Sequence, residues 1–333
     1  MKLRRPFQQC PSVGILGALS VLLLCGCVTN RVQVTKEAVG RQTQWARLCV
    51  ESAMFSAIVY RHDIPTPDDD RRAGYQKYLT GRGWQRRGIC ERKIEGGDGY
   101  GLYFEVWEND TRHPRQIVFA FRGTTGGPDW GANLRWFRLH RPRDHYYAAY
   151  DECVPLIGRF WSEKGAEKPI ISTTGHSLGG GLAQEILYAA ADKVDHCIVF
   201  DPSPVTALHD LSDAEQGVYH QQLNRSQFSQ YRIIRAYERG EILMFARNLI
   251  NLVYKPNSQT ISIEFNAPGR LNAVGKHSIT LLTDHLIKLA EQDVPAIIPA
   301  EFRPTPLRPP EAYHDDPAYR SWKQIGAMPS TAD

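Results

Sequence analysis

The stretch Pro169-Ile-Ile-Ser-Thr-Thr-Gly-His-Ser-Leu-Gly-Gly-Gly181 decides the fold of this chain. Residues 169–174 are typical of a short strand, and residues 178–191, rich in Ala and Leu, are typical of a helix. Between them Gly175-His-Ser-Leu-Gly179 fits the pattern Gly-x-Ser-x-Gly. Glycines beside the central positions let the turn close tightly and leave the Ser177 hydroxyl exposed. The N–H groups at the start of the following helix would then point at an oxyanion next to that serine.

Strands and helices alternate on both sides of this turn. Predicted strands cover 102–107, 117–121, 169–174, 197–200, 231–236 and 260–265. Predicted helices cover 43–60, 146–161, 178–191, 242–254 and 278–291. Residues 62–83 are rich in Asp, Pro, Arg and Gly and are predicted to form a loop. The alternation predicts an α/β fold with a mostly parallel sheet and helices on both faces.

A second element of a catalytic site is predicted at the end of the strand 117–121. The sequence there is Phe121-Arg-Gly-Thr-Thr125. An acyl-transfer site needs two donors to the oxyanion. The backbone N–H of Leu178 is the candidate for one donor, and Thr124, through its backbone N–H or its hydroxyl, is the candidate for the other.

Four motifs together resemble the fungal-lipase-like family, the class 3 lipases: Val118-Phe-Ala-Phe-Arg-Gly-Thr124, Asp129-Trp130, Asn133-Leu134 and Gly175-His-Ser-Leu-Gly-Gly180. The resemblance implies an α/β-hydrolase fold over residues 43–291 and cleavage of acyl esters by a serine triad. It also implies that Ser177 is the nucleophile and that Thr124 and Leu178 are the oxyanion residues. Residues 130–143 stand where the family carries a lid, and an ordinary surface helix and loop is the alternative.

The acid of the triad is expected after the predicted strand 231–236, since the order in this fold is serine, acid, histidine. Glu241 stands where the family has Asp and is the first candidate. Glu238 and Asp201 are the alternatives.

The base is expected to be a histidine, because imidazole accepts and returns a proton near neutral pH. His277, in a short loop before the last predicted helix, is the first candidate. His285, within that helix, and His314, in the C-terminal tail, are the alternatives. His176 lies next to the serine and is expected to point away from the site and to be structural.

Residues 1–26 are predicted to be a lipoprotein signal peptide. Three basic residues precede an apolar run at 13–24 that is too short to span a bilayer. Leu24-Cys-Gly-Cys27 resembles a bacterial lipobox, which implies lipidation of Cys27 and a polar tether at 27–42. Val28 after that cysteine favours the outer membrane of a Gram-negative bacterium, with the domain facing the periplasm or the exterior. An uncleaved anchor and an ordinary secretory signal are the alternatives.

The composition excludes several classes of protein. Hydrophobic residues make up 42% and charged residues 23% of the 333 residues, which excludes a disordered chain. The net charge of +4, which falls to +1 without the three basic residues of the signal, gives no reason to expect a nucleic-acid partner. The chain contains neither a zinc-type Cys/His spacing nor a phosphate-binding loop, so no metal and no cofactor are expected. The Pro-rich residues 292–333 are predicted to form an extended tail.

The number of cysteines in the mature chain predicts a disulfide. Cys49, Cys90, Cys153 and Cys197 would remain after the signal is removed and Cys27 is lipidated. An even number of cysteines in an oxidising compartment favours disulfides, so at least one is expected, with its pairing open.

Two functions are compatible with these residues. The first is a serine ester hydrolase anchored in the cell envelope, lipase-like or phospholipase-like, that acts on a lipid through an acyl-enzyme intermediate. The alternative is a non-catalytic envelope lipoprotein that keeps the hydrolase fold for binding. The simultaneous presence of Ser177, Thr124, a downstream acid and His277 favours the enzyme.

Overall fold

The computed structural model describes residues 36–60, 67–92, 101–123, 142–163, 167–204, 206, 208–222, 231–244, 259–266, 273 and 275–292. Cys27, Thr124 and His314 lie outside these residues, as do the signal peptide, the tail, most of 130–143 and most of the predicted helix 242–254. The chain divides into two units, Met1–Gly40 and Arg41–Asp333. In the first unit only the beginning of a helix is described, and the following paragraphs concern the second.

In the described part of the chain, strands and helices alternate after the first two helices. The strands are β1 Gln85–Arg92, β2 Leu102–Asn109, β3 Gln116–Phe121, β4 Ile170–His176, β5 Val194–Phe200, β6 Ile233–Glu238 and β7 Thr260–Phe265. The α-helices are α1 Lys36–Ile58, α2 Pro67–Gly81, α3 Pro142–Ser162, α4 Leu178–Ala189, α5 Asp213–Gln221 and α6 Ile279–Ala290. Short 3-10 turns cover Leu208–Asp210 and Gly275–His277.

The seven described strands form one sheet in the order in which they occur in the sequence. β1, β2 and β3 pair antiparallel, and β3 to β7 pair parallel. This arrangement confirms the predicted α/β-hydrolase fold with its mostly parallel sheet. Because parallel strands end at the same edge of the sheet, the residues that follow β4, β5 and β6 are brought to one edge.

Helices cover both faces of the sheet, as predicted. Phe119 and Phe121 of β3 pack in a core with helices α3, α4 and α5. The alternate residues Val118 and Ala120 pack in a second core with α1, α2 and α6. The alternation follows from the pleat, which points successive side chains to opposite faces. None of the helices in the described ranges combines the length and the hydropathy that crossing a membrane requires.

The predicted loop at 62–83 was wrong, because residues 67–81 form helix α2. Pro67 opens the helix and three aspartates, Asp68 to Asp70, occupy its first turn, where they interact favourably with the helix dipole. Tyr75, Tyr78 and Leu79 are buried and fix the helix against the core. The strand β1, which follows this helix, was not predicted either.

The expected disulfide was also wrong. Cys49, Cys90, Cys153 and Cys197 are all described, and each is a free, buried thiol. Cys49 lies in the core that contains α1, whereas the other three lie in the core on the opposite side of the sheet. Burial raises the pKa of Cys49, Cys90 and Cys197 to about 12. These cysteines therefore act as small apolar core residues.

Candidate active site

Ser177 occupies the turn between β4 and α4 in a backbone conformation that residues with a side chain rarely adopt. Its φ is 57° and its ψ is −125°. The residue is only 3% exposed, so the expectation of an exposed Ser177 hydroxyl was wrong for the structure described. The turn is held from several directions. The Ser177 carbonyl accepts hydrogen bonds from the N–H groups of Gly180, at 3.0 Å, and Ser203, at 2.8 Å, while its own N–H donates to the carbonyl of Phe200 at 3.1 Å. A strained backbone persists only where its surroundings determine it in this way.

Two glycines around the serine have no room for a side chain. A Cβ atom on Gly175 would lie 2.4 Å from the carbonyl oxygen of Gly179, and one on Gly179 would lie 2.3 Å from that of Phe121. Contacts this short do not occur for real Cβ atoms. Close packing of α4 against β3 and β4 is therefore the physical reason for the Gly-x-Ser-x-Gly pattern, as the sequence indicates.

Glu241 and His277 meet in the interior. Glu241 follows β6, and His277 ends the 3-10 turn before α6. The His277 Nδ1 and the Glu241 Oε2 atoms are 2.8 Å apart, and both side chains are 0% exposed. The same Oε2 atom accepts a hydrogen bond from the N–H of Leu243 at 2.7 Å. The carboxylate is thus fixed by its own loop and holds the orientation of the imidazole.

The two alternative carboxylates have other contacts. Glu238 lies against His285, with 3.7 Å between its Oε2 atom and the imidazole Nδ1 atom. Asp201, with a φ of 39°, accepts a hydrogen bond on Oδ1 from the N–H of Glu238 at 2.9 Å. Asp201 is nevertheless close to the candidate base, because one potential ligand atom of Asp201 and one of His277 lie within 4.8 Å of each other.

Tyr60, just beyond the end of α1, contacts both the serine turn and the segment after β3. No motif in the sequence marks this residue. Its hydroxyl lies 3.0 Å from the Nδ1 atom of His176 and 3.2 Å from the His176 carbonyl oxygen, to which it donates. It also accepts a hydrogen bond from the N–H of Gly123 at 3.0 Å. A single hydroxyl therefore connects the serine turn to the segment that leads to Thr124.

The structure shows where His176, Leu178 and the segment after β3 lie relative to the site. His176 was expected to point away from the site, but its ring centroid lies 4.5 Å from that of His277. The loop after β3 begins close to the nucleophile, since a Cβ atom on Gly123 would lie 3.3 Å from the Cβ atom of Ser177. Thr124 itself lies outside the described residues. Leu178 is the first residue of α4 and is largely buried, with its N–H at the helix N-terminus.

Comparison with known families gives a match that covers part of this site and ends before His277. The model of a phospholipase-like family, the Tle-like phospholipase domain, matches residues 51–255, which is more than half of the chain. This chain belongs to the Tle-like phospholipase domain family. The match confirms a lipase- or esterase-like family and, in general terms, a carboxylic ester hydrolase, without singling out the class 3 lipases. The matched part of the Tle-like phospholipase domain includes Ser177 and Glu241.

Solved structures that resemble this Tle-like phospholipase domain are distant in sequence. One is an S-formylglutathione hydrolase from Agrobacterium tumefaciens, with 16% identity, a TM-score of 0.31, and coverage of 61% of this chain and 94% of that chain. Another is an esterase of Pyrobaculum calidifontis, with 14% identity, a TM-score of 0.29, and coverage of 69% and 95%. No curated protein sequence matches the chain.

Proposed function

We propose that this protein is a serine hydrolase that cleaves acyl esters of lipids, with Ser177 as nucleophile, His277 as general base and acid, and Glu241 as the orienting carboxylate. The observation that carries the proposal is the buried 2.8 Å hydrogen bond between His277 and Glu241. The segments after β4 and β6 bring Ser177 and Glu241 to the same edge of the sheet. A carboxylate bound at Nδ1 keeps the proton there and directs the basic Nε2 atom away from Glu241.

The mechanism follows from these positions. His277 Nε2 accepts the Ser177 hydroxyl proton as the serine oxygen attacks the ester carbonyl. The N–H of Leu178, at the helix N-terminus, and Thr124 stabilise the oxyanion. Collapse of the tetrahedral intermediate breaks the ester bond, and the imidazolium returns its proton to the departing alcohol. Water, deprotonated by His277, then attacks the acyl-enzyme. The carboxylic acid is released as the imidazolium returns its proton to the departing Ser177 oxygen.

Support for a lipid substrate comes from the family and from the sequence. The family is described as phospholipase-like. Residues 130–143, which stand where the class 3 lipases carry a lid, mix Trp130, Trp136 and Phe137 with four arginines. Such a segment would close with its apolar side over an acyl chain and place its arginines near anionic head groups.

We also propose that the domain is anchored in the cell envelope through lipid on Cys27, at the outer membrane of a Gram-negative cell. Radiolabelled palmitate supplied to expressing cells tests this. Label should enter the wild-type protein and be absent from Cys27→Ser, because the thioether needs the cysteine sulfur. Wild-type protein that takes up no label would overturn the proposal.

A fluorophosphonate probe separates the enzyme from a non-catalytic lipoprotein that keeps the same fold. The probe phosphonylates an activated serine, so it should label the wild-type chain and leave Ser177→Ala unlabelled. Ser212→Ala, at the exposed start of α5, is the matched control and should be labelled like the wild type. If wild-type protein is not labelled under conditions that label a known serine hydrolase, the binding function is the correct one.

Tyr60→Phe is expected to lower kcat about tenfold while KM changes less than twofold. The variant keeps the ring and deletes the hydroxyl that binds Gly123 and His176. The segment at Gly123, which leads to Thr124, is then no longer held in position relative to Ser177. One neutral hydrogen bond contributes about 0.5–1.5 kcal/mol, which corresponds to a factor of roughly 2–10.

Steady-state kinetics on a soluble ester measure this effect. Tyr150→Phe is the control, because its half-buried hydroxyl binds Glu215 on α5. It should lose stability without losing kcat. An equal loss of kcat in both variants would show that Tyr60 acts only on stability.

A further inference from the structure

Three side chains of types that can ligate a metal ion lie together at the candidate active site. His176 ends β4, Asp201 follows β5 and His277 precedes α6. One potential ligand atom from each lies within 4.8 Å of the others, and all three residues are buried. The atoms His176 Nε2, Asp201 Oδ2 and His277 Nε2 are individually buried as well.

Each of the three side chains is also held by a second group. His277 Nδ1 is bonded to the Glu241 carboxylate and His176 Nδ1 to the Tyr60 hydroxyl. Asp201 Oδ1 accepts the N–H of Glu238. Histidines that bind metals almost always have their other ring nitrogen bonded to a carboxylate, carbonyl or similar group, which fixes the tautomer and the ring orientation. Because the Nδ1 atom of each histidine is engaged in this way, Nε2 is the nitrogen that each ring offers to an ion.

We propose that His176, Asp201 and His277 form a binding site for Zn²⁺. Two neutral imidazoles and one carboxylate are a ligand set that zinc takes in proteins, with a fourth position left for water. Zinc bonds of about 2.0–2.1 Å place ligand atoms roughly 3.4 Å apart in a tetrahedral site. Binding of the ion would have to bring the three ligand atoms to this spacing from separations of up to 4.8 Å. The carboxylates of Asp201 and Glu241 together compensate the charge of a buried dication.

Zinc at this site would inhibit the hydrolase, a consequence that rests on the proposed function. The ion takes the Nε2 lone pair of His277, which is the pair that must accept the Ser177 proton. Hydrolysis then stops until a chelator removes the ion. The sequence predicted no metal, since the ligands are far apart in the chain and form no recognisable spacing.

Isothermal titration of the chelator-treated full chain with zinc sulfate tests the site. The wild type should bind one ion per chain at this site. Asp201→Asn and His176→Asn should each weaken the binding at least tenfold, because each removes one ligand. His220→Gln, at an exposed histidine of α5, is the matched control and should bind like the wild type. Wild-type affinity in both ligand variants, or no binding by the wild type, would overturn the proposal.

X-ray absorption at the zinc edge tests the same site without any variant. The spectrum of the wild-type chain with one equivalent of zinc should show two imidazoles and an oxygen ligand at about 2.0 Å. Sulfur ligands, or fewer than two imidazoles, would contradict the assignment.

Ester hydrolysis in the presence of zinc separates this proposal from the proposed function. Equimolar zinc should abolish turnover and a chelator should restore it. If zinc binds with the expected ligands while hydrolysis continues, the zinc site stands and His277 is not the base. If the zinc-free chain hydrolyses no ester, the proposed function fails, and calorimetry and X-ray absorption still decide the zinc site.

Discussion

Ser177→Ala is expected to lower kcat for ester hydrolysis by about 10⁶, the loss measured when a triad serine is removed from subtilisin. The variant lacks the oxygen that forms the acyl-enzyme. The fold should be retained, because the turn is held by the backbone contacts of Ser177 with Gly180, Ser203 and Phe200. Steady-state kinetics with a soluble ester and thermal unfolding followed by circular dichroism measure the two effects.

Ser177→Gly sharpens this test. Glycine tolerates the φ of 57° that strains a serine, and strain of this kind costs of order 1–3 kcal/mol. The glycine variant should therefore be inactive and at least as stable as the alanine variant. Activity retained by either folded variant would refute the assignment of the nucleophile.

Glu241→Gln is expected to lower kcat by about 10⁴ with little change in KM. The amide keeps the size of the side chain but loses its negative charge. Leu243 N–H and His277 Nδ1 both contact the Oε2 atom of Glu241. An amide oxygen in that position no longer stabilises the imidazolium, whereas an NH₂ group there favours the wrong tautomer of His277 and opposes the N–H of Leu243. The equivalent change in a serine protease costs about this much.

Glu238→Gln and Asp201→Asn, measured in the same assay, decide between the three candidate carboxylates. Glu238 lies against His285, so its variant should retain activity within about threefold of wild type. A 10⁴ loss in Glu238→Gln or Asp201→Asn, with Glu241→Gln nearly active, would move the role of the acid to that residue.

The features of this fold that are local in sequence could be predicted. The tight turn at Ser177 could be predicted because Gly175 and Gly179, the two glycines that it requires, lie within one short motif of the sequence. The buried strands around it are continuous apolar runs. The order serine, acid, histidine placed Glu241 and His277 among the candidates, and the structure places these two side chains in contact.

Other features depend on packing between distant segments. Glu238 and Glu241 are three residues apart, and only the direction of the chain after β6 decides which carboxylate meets His277. Helix α2 has the composition of a loop, and burial of its tyrosines makes it a helix. Tyr60 acts through a hydroxyl that bridges segments more than 60 residues away, and no local pattern records such a contact.

The buried free thiols affect how the native state is reached. The described structure contains four free thiols, on Cys49, Cys90, Cys153 and Cys197. Folding of the domain therefore does not depend on an oxidant or a disulfide isomerase. Refolding from denaturant should proceed equally well with excess reductant present. Oxidation before collapse would instead lock the chain in non-native pairings, since these thiols become inaccessible only after the core has formed.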